Sequence, residues 1–146
     1  MLSKILTRGL FISLIAGGAL AHSDVMNATV MARMDAMVAL QKQMKLLGQM
    51  SKGVTEFEPH KAQAALERIE TLAIETPETF ENPAQDPMSE ARPLIWDEFA
   101  AFAQQAKALE ILGATLTIES KADLAPAMRQ LGQTCKSCHR KYRQSR

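Results

Sequence analysis

The chain has 146 residues and a formal net charge of +1, from 17 basic and 16 acidic side chains. That length suits a single domain with a real core, and the near-neutral balance leaves no basic excess for nucleic acid. With two cysteines and three histidines (His22, His60 and His139), no second Cys/His pair completes a zinc finger.

Residues 1–21 read as a secretory signal peptide. Lys4 and Arg8 give a basic start, and Gly9 to Ala19 is apolar apart from Ser13. Ala19-Leu20-Ala21 fits the small-residue cleavage rule, so cleavage is expected before His22. The apolar run is short for a membrane anchor. The mature domain, 22–146, then has 125 residues and a formal charge of −1, since Lys4 and Arg8 leave with the signal. The expected location is the periplasm, with no membrane span left after cleavage.

Four segments show helical spacing and none shows sustained strand alternation. The first runs from about Asp24 to Lys52, with Val30, Met37, Met44, Leu47 and Met50 along one side and Gly53 as the stop. The second runs from about Pro59 to Ile74, with Ala62, Leu66, Ile69 and Ala73 on one stripe. Thr76 to Pro93 breaks the pattern with Pro77, Pro83, Pro87 and Pro93, and reads as a long connection. A third helix covers about Pro93 to Gly113. A fourth covers about Lys121 to Tyr142, opened by a capping box of Ser120 with Asp123 in the Glu/Gln place. Four amphipathic helices, most with short joins, predict an all-α fold, an antiparallel four-helix bundle.

The last helix carries Cys135-Lys136-Ser137-Cys138-His139, the attachment motif for a c-type haem. On a helix the two cysteines are i, i+3 and His139 is i+4 from Cys135, so all three project from nearly one face. Two thioethers fix the porphyrin on that face, and the imidazole is held beneath the metal. A thioredoxin-like dithiol would need a βαβ setting, which the pattern lacks. A disulfide between the cysteines is the remaining alternative in an exported chain. The expected cofactor is one covalent haem c, in the bundle core.

The first helix holds six methionines: Met26, Met31, Met34, Met37, Met44 and Met50. A methionine stripe is usually core filler, yet a thioether is also a soft iron ligand that raises the haem potential.

Across the mature chain the sequence resembles the cytochrome c′ and cytochrome c-556 family. The closing run Cys135-Lys-Ser-Cys-His-Arg-Lys-Tyr-Arg143 is similar to the family's C-x-x-C-H-x-x-[FY]-[RK] ending. Arg33-Met-Asp-Ala-Met37 through Gly48 resembles its first helix, and Ser89 to Trp96 with Phe99 resembles the start of its third. The resemblance implies that the residue four after an arginine on the first helix faces the iron opposite His139. Here those residues are Arg33 and Met37. In c-556-type members that methionine binds iron and makes it low-spin; in c′-type members the equivalent residue only blocks an open site that takes NO or CO. Met44, two turns along the same face, competes with Met37. Gln41 stands where the family often has Gly.

Arg33 has two readings, a partner for a haem propionate or a solvated surface charge. Arg143, four after His139, either tunes that histidine, as the resemblance implies, or simply favours the helix dipole. Trp96 and Tyr142 read as packing residues, the tyrosine with its hydroxyl towards solvent, and His60 as a surface residue at a helix start.

The function these features predict is a periplasmic monohaem electron carrier, working with a redox protein partner and not an enzyme, since no acid–base pair is readable. The alternative is a five-coordinate cytochrome c′ binding NO or CO. A weaker third reading is an interaction module in which haem is structural. The resemblance also admits a homodimer through the first two helices.

Overall fold

The computed structural model describes residues 24–144. The signal segment 1–21 and its cleavage point lie outside the described residues. The described chain forms α1 (Ala28–Ser51), α2 (Pro59–Thr79), the single turn α3 (Leu94–Asp97), α4 (Phe99–Thr115) and α5 (Lys121–Tyr142). It contains one isolated β-bridge, Ala91 to Arg143, and no longer strand among the described residues. None of these helices is long and apolar enough to cross a membrane.

Helix ends follow capping chemistry. The Asn27 side chain accepts from the backbone N–H groups of Thr29 and Val30 at 3.0 and 3.2 Å, so α1 starts four residues after the expected Asp24. It ends in a Schellman motif. Val54 N–H donates to Gln49 O and Gly53 N–H to Met50 O, with Gly53 at φ 71°. Asp123 reaches back to the Ser120 N–H at 2.8 Å and completes the expected capping box of α5.

Two elements differ from the sequence expectation. α2 runs on through Pro77 to Thr79. A proline in the last turn forfeits one backbone bond, and tertiary contacts outweigh that loss: Arg33 binds the Thr79 carbonyl and Phe80 is buried just beyond. The third helix is split at Glu98, whose backbone is bent to φ −126°, ψ 38°. Its carboxylate takes the Tyr142 hydroxyl at 3.3 Å and the Lys141 ammonium, which tie the break to the end of α5.

The four long helices pack as a ring, α1 on α2, α2 on α4, α4 on α5 and α5 back on α1. The α2–α4 pair is the tightest. A Cβ on Gly113 would stand 2.8 Å from the backbone N of Glu70. The clash outweighs the roughly 0.5–1 kcal/mol that alanine gains over glycine within a helix. Gly113→Ala is therefore expected to destabilise by about 1–3 kcal/mol, read as a lower denaturant midpoint at unchanged slope.

The core has two parts. Leu47, Met50, Leu66, Ile69, Leu124 and Leu131 close one end of the bundle, each buried almost completely. Burying such a side chain contributes about 1.5–3 kcal/mol. Phe80, Ile95, Phe102 and Tyr142 form an aromatic cluster near the other end. Phe102 stands edge-on to Tyr142 at 5.4 Å and 4.9 Å from Phe80.

The connection between α2 and α3 is pinned along its length. Arg92 N–H donates to Tyr142 O, Gln144 N–H to Glu90 O, and Arg143 pairs with Glu90 at 2.5 Å. Asp86 accepts from the N–H groups of Met26, Asn27 and Met88 at 2.8–3.0 Å. Those bonds, Met88's the largest, hold its carboxyl below the usual range. A depressed folded-state pKa stabilises above the unfolded pKa, and that contribution disappears as pH falls through the folded value. Asp86→Asn should thus flatten the acid limb of the stability curve, measured by chemical denaturation from pH 6 downwards in steps of about one unit.

Candidate haem site

Cys135, Cys138 and His139 all line one cavity, between α5, α1 and the aromatic cluster. Its volume is about 480 Å³, within the roughly 300–1,000 Å³ of small-molecule and cofactor sites. The walls are mostly apolar, with Met37, Met44, Phe80, Ile95 and Phe102 among them. Neither thiol is in a disulfide. Burial pushes both thiols up, and with the added charge of Cys135 the Cys138 thiol reaches about 11. That environment is opposite to the electropositive one that activates a redox dithiol. Two thiols and an imidazole on one helix face, at the wall of an apolar cavity of this size, suit a porphyrin held by two thioethers.

His139 titrates below the ordinary histidine range. Burial is the main cause and the Arg143 charge the second, with Glu90 opposing them. Both main causes favour the neutral imidazole, the form that ligates a metal. Arg143 itself is engaged: its side chain pairs with Glu90 and its N–H donates to the His139 carbonyl at 3.0 Å.

Opposite α5, the first helix runs antiparallel. A Cβ placed on Gly48 would stand 3.6 Å from Met128 Cε, so the two positions face each other, while Met37 and Cys138 both pack against the aromatic cluster. Stepping eleven residues along each helix from the Gly48–Met128 level brings Met37 level with His139. Met44 is level with Gly132, about 10 Å away along the bundle at 1.5 Å per residue. Both methionines touch the cavity, but Met44 packs against the aliphatic cluster of Leu47, Leu66 and Leu131.

Arg33 is 3% exposed, which removes its reading as a solvated surface charge. Its guanidinium donates to the carbonyls of Thr79 and Ala84, each at 3.0 Å, and to that of Asn82. It also lies 5.0 Å over the Phe80 ring and 5.1 Å over Trp96. Burial lowers its pKa. Arg33 also lines the cavity. Trp96 is held by its indole N–H donating to Phe80 O at 2.8 Å. Tyr142 corrects the expectation of a solvent-facing hydroxyl: the residue is buried and its O–H points to Glu98. His60 is exposed beside Glu58 and is not part of the cavity lining. The aromatic wall residue Phe80 escaped sequence reading because it lies just past the proline that seemed to end the helix.

A family description, Cytochrome C′, matches residues 28–143. The chain is 34% identical over 142 residues to cytochrome c-554 of Cereibacter sphaeroides, covering 90% of this chain and 92% of that one. It is 30% identical over 147 residues to cytochrome c-556 of Rhodopseudomonas palustris, covering 90% and 95%. The structure of oxidized R. palustris cytochrome c556 superposes with a TM-score of 0.70 at 25% identity, covering 82% of this chain and 98% of that one. The four-helix ring, the cavity at the C-x-x-C-H face and these likenesses agree: the chain belongs to the cytochrome c′ family, and its cofactor is haem c.

Proposed function

We propose that the mature domain, residues 22–146, is a periplasmic electron carrier exported by the signal peptide 1–21. Cys135 and Cys138 would form the thioethers to the haem, and His139 and Met37 would bind its iron. The haem supplies a one-electron ferric/ferrous couple. The chain's own residues hold it, shield it and set its potential. The observation that supports the reading is that Met37, on α1, lines the same cavity as Cys135, Cys138 and His139 and packs on its aromatic wall. Arg143, paired to Glu90 one turn beyond, fixes the charge seen by the imidazole. Arg33 keeps two of its five N–H groups beyond those given to the three carbonyls, enough for one propionate oxygen pair. The site has the character of a carrier and not of an enzyme, and its exchange partner is a periplasmic redox protein. A homodimer through α1 and α2 is compatible with the same site.

The test is the optical spectrum of purified protein with a potentiometric titration. A low-spin ferric spectrum showing a thioether-to-iron charge-transfer band, and reversible one-electron reduction, are expected. A high-spin spectrum with ready CO uptake overturns Met37 ligation in favour of the five-coordinate, gas-binding reading. Colour lost to acid–acetone, with both thiols free to alkylate, overturns covalent attachment.

A further inference from the structure

We infer that the outward face shared by α1 and α5 docks a redox protein through a carboxylate-rich patch on that partner. The inference rests on the electron-carrier reading above.

Arg129, Lys136 and Arg140 recur at i, i+7 and i+11, so they share one side of α5. It lies outward of the side that packs on α1: Met128, whose Cε reaches the Gly48 position, is one residue, about 100° of turn, from Arg129. On α1, Gln41, Lys45 and Gly48 share a flank, with Gln41 on the cavity lining, and Lys42 lies just outside it. In the antiparallel register Lys42 and Lys45 fall level with Thr134 and Leu131, in the middle of the α5 stripe. All five basic residues are exposed. Among the described residues no carboxylate pairs with any of them, whereas Lys61, Lys107, Lys141 and Arg143 each have one. The opposite sign lies elsewhere: α2 carries Glu67, Glu70, Glu75 and Glu78. The chain is almost neutral, so this is a charge asymmetry and not an overall excess.

The same face runs past the attachment motif: Lys136 stands between Cys135 and Cys138, and Arg140 directly follows His139. A Cβ on Gly132, between Arg129 and Lys136, would meet nothing within 4 Å. Lys42 follows Gln41 directly, and Gln41 touches the cavity. A partner seated on the basic stripe is therefore beside the residues that would attach the cofactor. Complementary potentials steer such encounters and fix their orientation. An anionic membrane would need an apolar anchor beside the basic stripe. The exposed large apolar residues, Met26, Val54, Ile74 and Ile111, do not lie on it.

The experiment uses haem-loaded protein and an acidic blue-copper protein as the one-electron acceptor. The ferrous haem is oxidised as copper(II) becomes copper(I), followed by stopped flow at low and high salt. The wild-type rate is expected to fall at least ~10-fold with salt. Lys42→Glu/Lys45→Glu and, separately, Arg129→Glu/Arg140→Glu should each slow the low-salt rate by ~10-fold or more and lose the salt dependence. Lys107→Glu, on α4, should react like wild type, and all variants should keep the wild-type spectrum and midpoint potential. Equal rates in wild type and both double variants, with potentiometry still reversible, overturn the docking face alone. The same unaltered rates, accompanied by salt-sensitive wild-type sedimentation with phosphatidylserine vesicles, replace it with a membrane surface. Irreversible potentiometry of wild type overturns the carrier reading and the docking face with it.

Discussion

Met37→Ala is expected to turn a low-spin ferric spectrum high-spin, abolish the thioether-to-iron band and open the iron to CO. The midpoint potential should fall on the order of 0.1 V, part of the roughly 0.8 V range that axial ligation commands. The argument is positional. α1 and α5 are antiparallel neighbours whose Gly48 and Met128 positions face each other, so equal steps along both bring Met37 to about the level of His139. Met37 lines the cavity with His139 and, like Cys138, packs against the aromatic cluster. Met44→Ala is the control. It removes a thioether from the same cavity wall about 10 Å away, so the band should survive. Both substitutions delete a half-buried methionine, so the packing loss is similar and below the ~2–5 kcal/mol of a fully buried site. The difference between the two spectra therefore reports ligation and not stability. A band that survives Met37→Ala and disappears with Met44→Ala would sink the assignment.

What the sequence reveals about this protein is what is encoded locally. The C-x-x-C-H spacing defines one helix face without reference to the rest of the fold, and the cavity lies on that face. Capping is equally local: Ser120 and Asp123 announce the start of α5, and Gly53 follows the end of α1. The features that stayed hidden depend on distant partners. Glu98 breaks a helix with neither Gly nor Pro beside it, because its carboxylate is drawn to Tyr142 and Lys141 forty-odd residues away. Pro77 reads as a stop, yet α2 continues because Arg33, forty-six residues earlier, takes the carbonyl of Thr79. The register that separates Met37 from Met44 is a relation between two helices, invisible to the periodicity of either one alone.

Arg33→Ala is expected to cost about 2–4 kcal/mol, a large loss for a charged side chain. The guanidinium is the hub of the segment 79–84, whose Thr79, Asn82 and Ala84 carbonyls it binds together. A buried acceptor left without a donor costs about 1–3 kcal/mol. Three such losses would exceed the expected figure, but Asn82 is exposed and water can replace part of what alanine removes. The contacts over Phe80 and Trp96 add about 0.5–2 kcal/mol more to the loss. Because Phe80 walls the cavity, the loosened segment should also expose the cofactor edge. Arg33→Lys keeps the charge but presents a single ammonium on a flexible stem to three carbonyls that a planar fork spans. It should therefore recover only part of the stability. The measurement is chemical denaturation of haem-loaded protein together with amide exchange across 79–84. A loss below about 1 kcal/mol, with exchange there unchanged, would show that these carbonyls find water as readily as arginine.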